Sequence, residues 1–172
     1  MSPRTRVAVA VLALAGFSTA GFDAWITREG MTTNAVIPTK GDVPTIGHGS
    51  THYENGQSVR MGDRITPARA RTLARNLATA DAKQLAASLT GVELYPEEWD
   101  EYLDWVGQYG ITKWRTSSMR ARLLAGDYAG ACNALLLYKF AAGYDCSTPG
   151  NKRCGGVWTR QLDRNANCLA AQ

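Results

Sequence analysis

The apolar positions of this chain change their spacing several times, and each change marks an element. Residues 7–22 (VAVAVLALAGFSTAGF) form an uncharged run behind Arg4 and Arg6. Residues 23–30 (DAWITREG) predict a short helix stopped by Gly30, which can adopt the left-handed conformation at a helix C-terminus and leaves Glu29 at the helix end. Between residues 31 and 61 the texture shifts to Gly, Pro, Thr, Val and Ile, with turn signals at Thr39-Lys40-Gly41-Asp42, Asn55-Gly56 and Gly62-Asp63. Short antiparallel strands are predicted there. Thr66 caps and Pro67 opens a long helix ending before Gly91, with Leu73, Leu77, Ala80, Gln84 and Leu85 near helical spacing. Helical periodicity then recurs over residues 97–108, 116–125, 128–142 and 157–169, which predicts a bundle. A strand-bearing first part and a helical second part, connected by the long helix, make an α+β chain.

Composition narrows the class. At 172 residues, with 45% hydrophobic and 20% charged, the chain is one domain able to bury a core, and neither a disordered tail nor a polytopic membrane protein. The net charge of +4 includes Arg4 and Arg6 ahead of the apolar run, too small an excess to indicate nucleic acid as a partner. The run 7–22 would cover about 24 Å as a helix, against about 30 Å of hydrocarbon, and is more than half Ala, Gly, Ser and Thr. Behind two arginines it has the composition of an export signal. Ser18-Thr19-Ala20 has the spacing of a cleaved signal peptide, while extension through Ala24-Trp25-Ile26 gives a weak span; a buried core helix is the third reading. Cys132, Cys146, Cys154 and Cys168 cluster near the C-terminus without C-x-x-C spacing, which in an exported chain predicts disulfides. Of three pairings we favour Cys146 with Cys154, closing the loop 147–153, and Cys132 with Cys168, tying two helices.

The segment 29–50 concentrates the candidate chemistry. It holds Glu29 at a helix end, Asp42 in a Gly-bounded turn and the Thr45 hydroxyl three residues later. Splitting a glycosidic bond needs an acid for the leaving oxygen and a group that activates water, about 6.5 to 9.5 Å apart in inverting enzymes. A helix facing a hairpin can hold such a gap. His48 and His52 form H-x-x-x-H, but Gly47 and Gly49 oppose a helix and no third ligand stands nearby, so cleft-wall or surface histidines are expected rather than a metal site. Arg64, Arg69, Arg71 and Arg75 read as a basic solvated face, or one attracted to an anionic wall; Trp99, Trp105, Trp114 and Trp158 read as core.

The stretch from Glu29-Gly30 through Pro38-Thr39-Lys40-Gly41-Asp42-Val43-Pro44-Thr45-Ile46-Gly47-His48-Gly49 resembles the active-site region of phage-type lysozymes, glycoside hydrolase family twenty-four. Trp114-Arg115-Thr116-Ser117-Ser118-Met119, Leu124-Ala125-Gly126-Asp127-Tyr128, Phe140-Ala141-Ala142-Gly143 and Gly156-Val157-Trp158-Thr159-Arg160 resemble its carboxyl-terminal lobe in the same order, so the likeness spans residues 22–169. The resemblance implies a lysozyme-like fold, a small β lobe and a larger helical lobe joined by a long helix. It implies cofactor-free hydrolysis of the β-1,4 bond between N-acetylmuramic acid and N-acetylglucosamine in peptidoglycan by a monomer, causing host lysis. Glu29, in its E-G context, is then the proton donor, and Thr45, in T-I-G, positions the water. The family's middle Asp lies nine residues after the Glu, where this chain has Pro38; Asp42 is the candidate for its role. Gln108 stands where relatives often have Asn, and with His48 is a candidate substrate contact. The amino terminus resembles signal-arrest-release endolysins, which implies an export segment over residues 1–22 and a catalytic domain over 23–172. The enzyme would be tethered to the inner membrane and then freed into the periplasm of a Gram-negative host. A cell-wall binding module without catalysis, and a lytic transglycosylase leaving 1,6-anhydro ends, are the rival readings.

Overall fold

The computed structural model describes residues 5–172, so Arg4 lies outside the described residues. In chain order the first elements are β1 (Val7–Ala8), α1 (Val9–Ala15), α2 (Thr19–Glu29), β2 (Thr32–Val36), β3 (Thr45–Gly47) and the long α3 (Pro67–Ala87). There follow β4 (Glu93–Leu94), α4 (Pro96–Tyr109), α5 (Ile111–Arg115), α6 (Ser118–Leu124), α7 (Tyr128–Ala134), β5 (Phe140–Ala141), β6 (Tyr144–Asp145) and α8 (Gly155–Ala171).

The amino-terminal apolar run is folded into the protein. β1 pairs antiparallel with β4, α1 packs along α3, and Val9, Ala13 and Phe17 are buried in the main core. Arg6 stacks on the rings of Tyr95 and Tyr128 and donates to Gln172 Oε1 at 2.7 Å. At Gly16 the chain turns with φ +74, and Trp99 Nε1 donates to the Gly16 carbonyl at 2.8 Å. Ser18 then caps α2, its hydroxyl accepting from Gly21 N–H. The helix expected from Asp23 therefore starts about a turn earlier, and the boundary expected between residues 22 and 23 falls inside it. No single described helix is long and apolar enough to cross a membrane; α1 and α2 together are, but they meet at 58°.

Two cores flank α3. The small one holds Ala35, Ile46, Val59 and Leu73, under the β2–β3 hairpin and the loops that follow it. The large one gathers α1, α2 and the carboxyl-terminal helices around Trp99, Trp105 and Trp114, all fully buried, while Trp158 is half-buried. The buried stripe of α3 differs from the expected one: Leu77, Ala80 and Gln84 face solvent, and Ala70, Ala74, Ala78 and Ala82 face inward. Small side chains let α1 approach α3 closely, and that contact outweighs the pull of the larger residues.

The helix expected over residues 128–142 is not continuous. α7 ends at Ala134, a 3-10 turn covers Leu135–Leu137, and β5 and β6 form a hairpin. Ala142 (φ 48) and Gly143 (φ 83) make its two-residue turn, with the positive φ pair that suits strand twist. Cys146 is bonded to Cys154 just behind it, and Cys132 to Cys168 ties α7 to α8. Gly110 (φ 82) also divides α4 from α5, a short helix absent from the sequence reading.

Candidate active site

Glu29 is the last residue of α2, because Gly30 leaves the helix with φ +68. Its Oε1 lies 3.5 Å from an Arg160 guanidinium nitrogen on α8, with both side chains about a third exposed. The next carbonyl, Gly30 O, is 2.5 Å from His48 Nδ1. A carbonyl can only accept, so Nδ1 carries the proton and His48 is fixed in that tautomer. His48 is buried and acts as an anchor beneath the glutamate. The hairpin extends from that anchor: Thr32 pairs with Gly47 and Val36 with Thr45. Gly47 has φ +67, and a Cβ there would stand 3.3 Å from the Ala70 backbone, so the glycine of the T-I-G motif is required by both conformation and space.

The paired positions are four apart on β2 but only two apart on β3, and an irregularity in the ladder absorbs the difference. Thr45 therefore stays within about 7 Å of Gly47 along its strand. Ile46 is wholly buried in the small core, so strand alternation turns Thr45 to the other face. The Thr45 hydroxyl donates to Val36 O over a long 3.4 Å. Asp42 closes the Thr39–Asp42 turn, its N–H donating to Thr39 O at 2.9 Å with Gly41 at φ +94. Its side chain is exposed at the far end of the hairpin loop. Glu29 thus adjoins the Thr32–Gly47 end of the hairpin, Thr45 pairs at the loop end of the ladder, and Asp42 lies in the loop beyond it. Gln108 is exposed on the last turn of α4, next to Gly107, which faces Trp25 of α2.

His52 is exposed with Nδ1 2.9 Å from Thr51 Oγ1, so the two histidines do not converge. Among the described residues the one group of potential metal ligands close enough to share an ion is Glu98 with Cys132 and Cys168, whose sulfurs are bonded to each other.

The sequence reading passed over a line of charges that runs from the glutamate into the interior. Arg164 is fully buried, with Nε 2.7 Å from Asp104 Oδ2, and Arg28, the neighbour of Glu29, reaches the same oxygen at 3.2 Å. Burial lowers the pKa of Arg164, opposed by Asp104. Further along, burial pushes Asp100 up to about 6 and Glu101 up to about 7. The available signal was an acidic series, Asp100, Glu101 and Asp104 between Trp99 and Trp105 with Glu97 and Glu98 before them, on the helix whose Asp104 meets Arg164, one turn beyond Arg160 on α8. Beside Arg160 a cavity of about 560 Å³ opens, lined also by Ala141, Tyr144, Arg153 and Val157. Its wall joins the β5–β6 hairpin to the charge that touches Glu29, and an exposed tyrosine ring beside arginines can take a sugar and its carboxylate substituents.

The sequence profile of the family described as phage lysozyme matches residues 27–161. No curated protein matches the sequence. Among solved structures the chain is similar to a mutant lysozyme of phage P22, with a TM-score of 0.73 and 25% identity over 89% of this chain and 97% of that one. It is similar to an endolysin from Escherichia coli O157:H7 phage FAHEc1, at 0.70 and 24% over 91% and 94%. The active form of the P1 phage endolysin Lyz shares the fold at 0.72 and 16% identity over 96% and 95%. With a family match over most of the chain, a helix-end glutamate anchored to a T-I-G hairpin and the lysozyme-like fold around them, the chain belongs to the phage lysozyme family: it is a glycoside hydrolase, an endolysin that breaks down peptidoglycan.

Proposed function

We propose that Glu29 is the proton donor in hydrolysis of the β-1,4 bond between N-acetylmuramic acid and N-acetylglucosamine. The observation that carries this is its placement: the glutamate ends α2 above the His48 anchor, with Arg160 holding Oε1. Oε2 then delivers the proton to the glycosidic oxygen as the bond breaks, and water attacks the opposite face of the sugar. Thr45, at the loop end of the β2–β3 ladder, positions that water; Asp42 assists from the loop beyond it as base. His48 acts through Gly30 as a positioning residue, and Gln108 contacts the glycan. Mass spectrometry of the released muropeptides tests the reaction. Reducing N-acetylmuramic acid ends are expected, and 1,6-anhydro ends would replace hydrolysis by transglycosylation. Thr45→Ala is expected to lower turnover more than Asp42→Asn, and the reverse order would return the main role to the carboxylate.

The chain acts, in this reading, as a monomer in the periplasm of a Gram-negative host after a membrane-tethered stage. Residues 1–22 serve export, and residues 5–22 of that segment then complete the fold. Val9, Ala13, Phe17 and Phe22 cannot face lipid and the main core together, and Arg6 cannot both hold the cytoplasmic side and stack on Tyr128. The tethered form therefore lacks the support beneath α2 and is inactive. Ala10 and Ala15 are exposed on folded α1, so Ala10→Leu with Ala15→Leu strengthens the span without disturbing the core. Delayed lysis with an intact amino terminus by mass measurement supports release; a mature chain starting near Gly21 contradicts it.

A further inference from the structure

Among the described residues, the arginines at the end of α2 outnumber the carboxylates that pair with them. Arg28 precedes Glu29 on that helix, and Arg160 and Arg164 stand one turn apart on α8. Their partners are Glu29 itself and Asp104 of α4, and the division between the two is uneven. Asp104 Oδ2 takes Arg164 Nε at 2.7 Å and an Arg28 guanidinium nitrogen at 3.2 Å, while Glu29 Oε1 meets Arg160 at 3.5 Å.

The two arginines on Asp104 are held differently. Arg164 is buried and further pinned by Gln161 Oε1 and by the Asp104 carbonyl, each at 3.2 Å, so it is fixed in place. The Arg28 side chain is about a third exposed, and its contact with the buried Asp104 turns it inward. Neighbouring residues on a helix point about 100° apart, so Arg28 approaches Glu29 only if its flexible stem swings back. Asp104 prevents that swing. The consequence is chemical, because a general acid must keep its proton until the leaving oxygen takes it, and a cation within about 4 to 6 Å of a carboxyl favours its loss.

We propose that Asp104 is a positioning residue for the hydrolysis: by holding Arg28 together with Arg164 it keeps a second guanidinium away from the proton donor. The inference rests on Glu29 being that donor. The other charged groups around the two carboxylates do not take this part. Asp100 and Glu101, also on α4, are acids pushed up by burial, and Tyr109 acts on Arg164. His48 faces the Gly30 carbonyl through Nδ1, Arg71 of α3 pairs with Asp23, and β2 brings no charged residue. A merely structural Asp104 would serve only to match the buried charge of Arg164, and the two roles separate when that pair is removed as a unit.

The test is therefore the double variant Asp104→Leu with Arg164→Met, in the full chain. It exchanges two buried charges for apolar groups, a change that buried pairs often tolerate, and leaves Arg28 without its partner. The rate of turbidity loss of outer-membrane-stripped Gram-negative cells is recorded against pH, with folding checked by circular dichroism. The alkaline limb of the profile is expected to move down by about one pH unit, which lowers the rate on that limb about tenfold. Adding Arg28→Met should move the limb back toward its wild-type position, a rescue that a purely structural role does not predict. Where the double variant does not fold, Asp104→Asn keeps an acceptor for Arg164 but loses the charge that holds Arg28, and carries the same comparison with and without Arg28→Met. A limb that stays in place, or one that moves and is not restored by Arg28→Met, would overturn the proposal. A folded Glu29→Gln protein that still lyses the cells would instead remove the assignment on which it rests, so the two failures are distinguishable.

Discussion

The two lobes divide their work unequally. The small lobe rests on a core of Ala35, Ile46, Val59 and Leu73, yet it carries Thr45, Asp42 and the His48 anchor. The helical lobe holds three buried tryptophans, the Asp104 charge cluster and both disulfides, and contributes to the site chiefly through α2 and Arg160. Stability and chemistry therefore have different addresses. Substitutions in the buried interior of the helical lobe should mainly change whether the protein folds, whereas those at Glu29 and in the hairpin should change what the folded protein does.

The largest effect is expected at Asp104. Asp104→Ala leaves Arg164 buried without its carboxylate and frees Arg28, and should lower unfolding free energy by about 5 kcal/mol, read from urea denaturation. A loss below about 1 kcal/mol would mean that solvent screens the pair. Next come the disulfides. Cys132–Cys168 closes a separation of 36 residues and Cys146–Cys154 one of 8. Chain entropy then makes their removal, by paired Cys→Ala changes, cost about 4 and about 2.5 kcal/mol respectively. The reverse ranking would place the weight on the β5–β6 hairpin.

Buried acids give the helical lobe a pH dependence. Asp100 and Glu101 titrate higher in the fold, at about 6 and about 7, than in the unfolded chain. Their linked contribution is complete below about pH 4 and is lost as pH rises through about 6 and about 7. Glu101→Gln, which cannot ionise, should remove up to about 3 kcal/mol of that loss at about pH 8. Melting curves at about pH 5 and about pH 8 check this, and an unchanged slope would contradict it. Gly47→Ala sharpens the contrast from the small lobe. Left-handed backbone and the close approach to Ala70 should cost about 1 to 2 kcal/mol. Displacing Thr45 and His48 should cost activity about tenfold or more. Loss of stability without loss of activity would undo the division between lobes.

What was legible in the sequence follows the same line. Local rules sufficed where a residue acts on its own neighbours: Gly30 stopping α2, Thr66 and Pro67 opening α3, the Thr39–Asp42 turn. The lysozyme-like fold and the family were readable because ordered motifs span both lobes. Illegible features depend on partners distant in sequence. Leu77 lost the inward face of α3 to alanines because α1 sits against them, and periodicity carries no knowledge of the neighbour. The β5–β6 hairpin that replaces the end of the expected helix turns on two residues, Ala142-Gly143, that do not announce it. Arg160 stood within a quoted motif, but its contact with Glu29 joins residues 131 positions apart. Asp104 and Arg164 drew no reading from the sequence, because their pairing exists only where α2, α4 and α8 come together.

The most direct test of the account is Glu29→Gln. The amide keeps the side chain's shape but cannot donate the proton. Turbidity loss of outer-membrane-stripped Gram-negative cells should fall below a tenth of the wild-type rate, roughly the least that loss of general acid catalysis removes, while circular dichroism and the melting temperature stay unchanged. A folded Glu29→Gln protein that lyses those cells at more than a tenth of the wild-type rate would show that the proton comes from elsewhere.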